Sequence, residues 1–173
     1  MSKTIQHNLK RIRKRMKIAC EKANRSASEV RLLLATKTVD SEKIKYALEQ
    51  NENLVGENKV QELKQKCNAI KALNPEVHFI GHLQSNKIKE VIKWVTCIES
   101  IDRLALAEKL HNRLLFEKKS MDIFIQVNTS YEESKFGVAP EEAIELIKKI
   151  ALLDTIRIRL YKQGKKNPRI FVV

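Results

Sequence analysis

Lys37 closes the apolar run Val30-Arg31-Leu32-Leu33-Leu34-Ala35-Thr36. A primary amine therefore stands where a buried strand gives way to the next turn, the end at which parallel sheets usually carry their chemistry. An amine desolvated at such a place gives up its proton more readily and can condense with an aldehyde to form a Schiff base. The same position also suits a lysine that only returns the chain to solvent. Other apolar runs end in polar groups too: Gly56-Glu57-Asn58, Gly81-His82-Leu83-Gln84-Ser85-Asn86-Lys87, Glu99-Ser100-Ile101-Asp102, and Asn128-Thr129-Ser130 with Ser134-Lys135-Phe136-Gly137. Together they offer an amine, amides and an imidazole, while each alone is ordinary turn chemistry. His78, inside an apolar strand, reads as a satisfied core histidine, whereas His82, beyond a glycine, is freer to meet a ligand. Glu57 reads as a charge complementing a helix N-terminus and Glu99 as a solvated loop residue. No cluster has metal-ligand spacing, and neither a Walker loop nor a nucleophile elbow is present, so no catalytic residue is assigned.

The groups need elements to hold them. Ile5, Leu9, Ile12, Met16, Ala19 and Ala23 recur at three- and four-residue spacing and predict one amphipathic helix with a cationic outer face. After the first strand, Asp40 or Ser41 can cap a helix through Ile44, Ala47 and Leu48, leading to a strand at Leu54-Val55-Gly56. The pattern repeats: helix from Asn58 to Leu73, strand Val77 to Ile80, helix from about Ser85 to Trp94, strand Val95 to Ile98. Asp102 is placed to cap a helix to about Phe116, a strand runs from Met121 to Asn128, Pro140 opens a helix reaching Leu153, and Ile156 begins a sixth strand. This alternation predicts parallel βα units in an α/β chain, with no composition shift marking a domain boundary. A doubly wound sheet fits the alternation, but the first turn, Thr38-Val39-Asp40-Ser41, has no glycine, so a TIM-type (β/α)8 barrel is preferred. Five to six units are visible where a closed barrel has eight, so the barrel is expected to be incomplete.

The chain has 173 residues, 43% of them apolar, enough for a substantial core. No apolar stretch approaches the ~20 residues of a membrane span, and the basic N-terminus lacks the apolar segment of a signal peptide, so a cytoplasmic protein without a membrane partner is expected. Cys20, Cys67 and Cys97 are scattered and predict buried thiols. The net charge of +13 is confined to the ends: Met1 to Arg31 holds ten bases against two acids, Thr155 to Val173 six against none, and the middle is near neutral. Nucleic acid is therefore not expected as a specific partner; any such binding would be nonspecific and carried by the ends.

Four stretches carry a resemblance: Ala35-Thr36-Lys37-Thr38, Val55-Gly56-Glu57-Asn58-Lys59-Val60-Gln61-Glu62, His78-Phe79-Ile80-Gly81-His82-Leu83-Gln84-Ser85-Asn86-Lys87 and Ser100-Ile101-Asp102-Arg103. In order and spacing they resemble the pyridoxal phosphate homeostasis protein family, and Ile125 to Gly137 is similar to that family's fifth-strand segment. The resemblance covers about Leu9 to Arg159. It implies a barrel domain like that of alanine racemase, pyridoxal 5'-phosphate as cofactor, Lys37 as the Schiff-base residue, and Asn58, His82 and Asn128 as its lining. It further implies buffering or delivery of the cofactor without catalytic turnover, with cofactor-requiring apoenzymes as recipients. A racemase-like enzyme and a basic RNA- or ribosome-associated protein are the alternatives. Beyond the sixth strand the family pattern continues with an arginine, glycine, leucine, methionine sequence and later phosphate-holding turns. Here Ile156 to Arg159 gives way to Leu160 to Val173, so residues 1–159 read as a partial barrel domain and 160–173 as a divergent basic tail. A truncated, more weakly binding chain is the expectation.

Overall fold

The computed structural model describes residues 2–159 and 169–172. Its contacts fall into two compact units, residues 1–56, 65–76 and 161–173 in one and 57–64 with 77–160 in the other, a division that no composition shift announces.

In the first unit the long helix α1 (Ser2–Lys22) is amphipathic as the spacing predicts. Leu9 packs into a buried cluster with Leu32 and Ala47, and Ile5, Ile12, Met16 and Leu34 lie against it. Strand β1 (Val30–Ala35) supplies Leu32 and helix α2 (Ser41–Glu49) supplies Ala47. Asp40 caps α2 by accepting the Lys43 N–H at 3.0 Å, and the hydrogen bonds from Lys43 hold its carboxyl below the ordinary aspartate value. Strand β1 pairs in parallel with β2 (Leu54–Glu57), Ala35 opposite Gly56. On its other side it pairs with the last strand, Arg169–Val172, Val30 opposite Arg169. The sequence reading assigned that segment to a divergent tail, yet its backbone adds a parallel partner to β1; Leu160 to Pro168 and Val173 lie outside the described residues. An almost uninterrupted apolar run in β1 is what a parallel strand flanked on both sides needs. Glu52 is nearly buried, its side chain 4% exposed, and is held by Arg13, whose Nη2 lies 2.5 Å away.

The second unit is a parallel sheet of β3 (Glu76–Phe79), β4 (Cys97–Ile101), β5 (Met121–Ile125) and β6 (Ile156–Ile158), each paired with the next in sequence. Around it run α4 (Ile88–Val91), α5 (Leu104–Phe116) and α6 (Ala143–Ile150). Leu106, Leu110 and Leu114 recur every fourth residue on α5 and are buried with Phe79, Ile98, Ile123 and Ile150. Helix α3 (Val60–Ile70) joins the two sets of strands along the chain and is followed by a 3-10 turn, Lys71–Leu73.

Several boundaries differ from the sequence reading. The helix expected over Ser85 to Trp94 is a 3-10 turn, Ser85–Lys87, plus the single turn of α4. Trp94 and Val95 still donate to the Val91 carbonyl, which delays the fourth strand from Val95 to Cys97. Asp102 does not cap α5; its carboxylate takes the Arg103 guanidinium at 2.5 Å instead, and Arg103 occupies the cap without a side-chain bond. Strand β5 ends at Ile125, because Val127 bridges to Val138 across the loop that follows. Pro140 opens a turn rather than the helix itself, which begins at Ala143.

Candidate functional site

Each unit presents part of the candidate chemistry. In the first, Lys37 stands in the turn after β1 and is exposed. The Val39 N–H donates to the Thr36 carbonyl at 3.0 Å, placing Lys37 and Thr38 at the centre of a β-turn. Thr38 sits there at φ +62°. Thr36 is buried, and its N–H (2.8 Å) and hydroxyl (3.1 Å) both donate to the Gly56 carbonyl. The Lys66 ammonium, on buried α3 positions, donates to the same Thr36 carbonyl at 2.6 Å. The strand end is thus firmly held while the Lys37 amine is open to solvent. The desolvation expected of Lys37 is corrected: burial reaches Thr36, the residue after the strand, and Lys37 next to it is exposed.

In the second unit the residues after β2, β3 and β4 come together. Glu57 is buried, and its carboxylate accepts the N–H of Asn58 at 2.8 Å and of Lys59 at 3.4 Å, so it serves the start of the following helix as its sequence position suggested. Gly81 passes so close to Asn58 that a Cβ there would lie 2.2 Å from the Asn58 carbonyl oxygen; the glycine is required by space. Phe79 pairs with Ile98; Gly81 follows two residues after the end of β3, and Ser100 two residues further along β4. Three buried polar atoms in this neighbourhood lack any hydrogen-bond partner: Asn58 Oδ1, His82 Nδ1 and Ser100 Oγ. An orphaned buried polar atom costs ~1–3 kcal/mol, and three together mark a place shaped for a polar guest.

Ser100 went unassigned by the sequence reading although it stands in a motif quoted there; the available signal was a lone hydroxyl inside an apolar strand. His82 stacks on Phe136, ring centroids 3.6 Å apart and planes 16° from parallel. Its Nδ1 is 3.7 Å from Asp102 Oδ2, too far for a hydrogen bond. Asn128 is bonded within its own loop. Its amide nitrogen donates to the carbonyls of Glu132 (3.0 Å) and Lys135 (3.4 Å), and its oxygen accepts from Ser130 Oγ at 3.1 Å. It therefore shapes the loop that brings Phe136 onto His82. Tyr131 in that loop donates to Glu141, which raises the phenol above its ordinary value and lowers the carboxyl below its own. Glu99 is not a solvated loop residue: it lies on β4, 2.5 Å from His78 Nδ1, and satisfies that buried histidine. The three cysteines are buried free thiols. No helix among the described residues is long and apolar enough to cross a membrane.

The model of the family described as alanine racemase, N-terminal domain, matches residues 2–161. Among curated proteins, the pyridoxal phosphate homeostasis protein of Aquifex aeolicus is 39% identical over 150 residues, covering 87% of this chain and 66% of the relative. Its counterpart in Haemophilus influenzae is 37% identical over 157 residues, covering 90% of this chain and 66% of the relative. The chain thus spans about two thirds of the length of these relatives. Among solved structures, PipY of Synechococcus elongatus PCC7942 with PLP bound superposes with a TM-score of 0.71 at 25% identity, over 86% of this chain and 71% of that one. A crystal structure of an unknown protein from Bifidobacterium adolescentis superposes with a TM-score of 0.84 at 35% identity, over 91% of this chain and 68% of that one. With its parallel strands alternating with helices, the chain is α/β of the (β/α)8-barrel type and carries part of such a barrel.

Proposed function

The chain belongs to the family of the alanine racemase N-terminal domain, and from that membership we propose that it binds pyridoxal 5'-phosphate and keeps or hands on the cofactor without turning over a substrate. The observation that carries this reading is the set of orphaned buried atoms in the second unit, Asn58 Oδ1 after β2, His82 Nδ1 after β3 and Ser100 Oγ on β4. When bound, the cofactor supplies an aldehyde for reversible attachment to an amine. Lys37, exposed in the turn after β1, would provide that amine. Asn58 accepts from a donor on the guest, Ser100 gives or takes a hydrogen bond, and the His82 ring offers a flat face and a nitrogen at the same wall. Asn128 acts through the loop it braces, holding Phe136 against His82. An exposed lysine attaches and releases an aldehyde more readily than one sealed from water, which suits a carrier whose recipients are cofactor-requiring apoenzymes. A curated name of homeostasis protein on the relatives supports the same direction.

The test is borohydride reduction of the protein equilibrated with pyridoxal phosphate, followed by peptide mapping. Pyridoxyl label is expected chiefly on Lys37, and Lys37→Ala should abolish it. Label concentrated on Lys59 or Lys135 with Lys37 unmodified would sink the assignment.

A further inference from the structure

Lys66 has no place in the chemistry described so far, yet it is buried at 9% exposure. A lysine is seldom kept in such a place unless its charge is well paired or hydrogen-bonded. Its Nζ lies 2.6 Å from the carbonyl oxygen of Thr36, the residue immediately before Lys37. The same oxygen accepts the Val39 N–H at 3.0 Å, so both of its lone pairs are engaged. The turn between these bonds holds Thr38, a β-branched residue, in the left-handed region at φ +62°, a conformation that costs on the order of 1–3 kcal/mol and persists only where the surroundings enforce it. Turning the Thr36–Lys37 peptide would break both bonds to this carbonyl at once. One of the two is charge-assisted, the stronger kind.

We infer that Lys66 is a positioning residue for Lys37: its ammonium clamps the Thr36 carbonyl, fixes the Thr36–Lys37 peptide from which Lys37 springs and so aims its amine. This rests on the reading of Lys37 as the attachment point. The device joins a buried, unreactive lysine to an exposed, reactive one through a single backbone oxygen. It lets the amine meet solvent without letting its backbone wander.

The test uses the full chain and pyridoxal phosphate itself. Borohydride trapping at short times gives the rate of labelling at Lys37 and, in the same digest, at surface lysines such as Lys59 and Lys135. Lys66→Met keeps the side-chain volume and leaves the Thr36 carbonyl still bonded to Val39, so the variant is expected to fold. It should label Lys37 about tenfold or more slowly, since small misplacements of a reacting group carry penalties of this order, with the other lysines unchanged. Lys66→Gln, too short to reach, should behave alike. Lys66→Arg, which can still donate to the carbonyl, should restore the rate to within roughly threefold of the wild type. Equal Lys37 labelling in wild type, Met and Gln variants would overturn the inference. So would loss of cooperative melting in both Met and Gln variants, which would make Lys66 a support of the fold alone. Failure of the underlying reading looks different: in that case the wild type itself does not label Lys37, and Lys37→Ala leaves the total label unchanged.

Discussion

Gly81→Ala is the sharpest perturbation of the candidate site, because everything it meets is backbone. The added methyl would lie 2.2 Å from the Asn58 carbonyl oxygen, 2.7 Å from its Cα and 2.8 Å from its carbonyl carbon. Ordinary contact begins at 3.4 Å, so the two segments must separate by about 1 Å. Rotating a side chain away cannot relieve this. Next to the contact, the Ile80 N–H donates to the Glu57 carbonyl at 2.9 Å, and separation stretches that bond. Overpacking costs ~1–3 kcal/mol and a weakened backbone bond about 1 kcal/mol more, for a loss of ~2–4 kcal/mol. With a urea slope near 2 kcal/mol/M, the midpoint should fall by about 1–2 M, read by circular dichroism. Because Asn58 moves with its backbone, affinity for pyridoxal phosphate should also drop, about fivefold for one hydrogen bond of ~1 kcal/mol. A Gly81→Ala protein within about 0.5 kcal/mol of wild type, a change typical of surface sites, would refute the close approach itself.

Ser100→Ala should separate stability from binding: removing an orphaned buried hydroxyl is expected to leave the free protein unchanged or up to about 1 kcal/mol more stable, while titration fluorescence shows weaker pyridoxal phosphate binding. Tyr131 is expected to ionise above its ordinary value of 10.0, followed by ultraviolet difference absorbance, and to return to it in Glu141→Gln. The sign follows from the two shifts: the phenol's raised value gives a contribution present below pH 10.0 and lost as pH rises through the folded value, whereas the lowered Glu141 carboxyl gives one present above 4.5 and lost on acidification. Arg13→Met leaves the Glu52 carboxylate, 4% exposed, without its guanidinium; a loss of about 2–3 kcal/mol in chemical denaturation is expected, moderated because Arg13 itself is half in solvent.

Periodicity revealed most of the scaffold, because strands such as Val30–Ala35 and helices such as Leu104–Phe116 bury faces whose spacing is visible in one dimension. Boundaries failed where a local hydrogen bond outcompeted the pattern. Trp94 and Val95 are apolar enough for a strand, yet their N–H groups finish a turn begun at Val91. Asp102 has the chemistry of a cap, but the neighbouring Arg103 claims its carboxylate. Of the proposed site, Lys37 is nominated in the sequence by its place at a strand end, and His82 by the glycine before it. Ser100 was hidden because a buried hydroxyl becomes informative only once its lack of a partner is seen. Glu99 misled because charge suggests solvent, whereas its partner His78 lies twenty-one residues earlier in the chain. Lys66 could not be distinguished from the other lysine of α3, Lys64, without knowing which face the helix turns inward.

The order of strand pairing has a consequence for how the molecule assembles in time. In the second unit every strand pairs with its successor, as where Cys97 meets Asp122 across 25 residues. In the first, Val30 of β1 meets Arg169 across 139. Closing the longer loop costs about 1.5 kcal/mol more chain entropy, from the logarithm of the ratio of lengths. Low contact order favours early formation, so the β3 to β6 pairings are expected to form first and the β1 to Arg169–Val172 pairing late. On a ribosome the delay is longer still, since Arg169 is made 139 residues after Val30. The strand that leads to Lys37 therefore waits for its outer neighbour, and the surroundings of that lysine mature late.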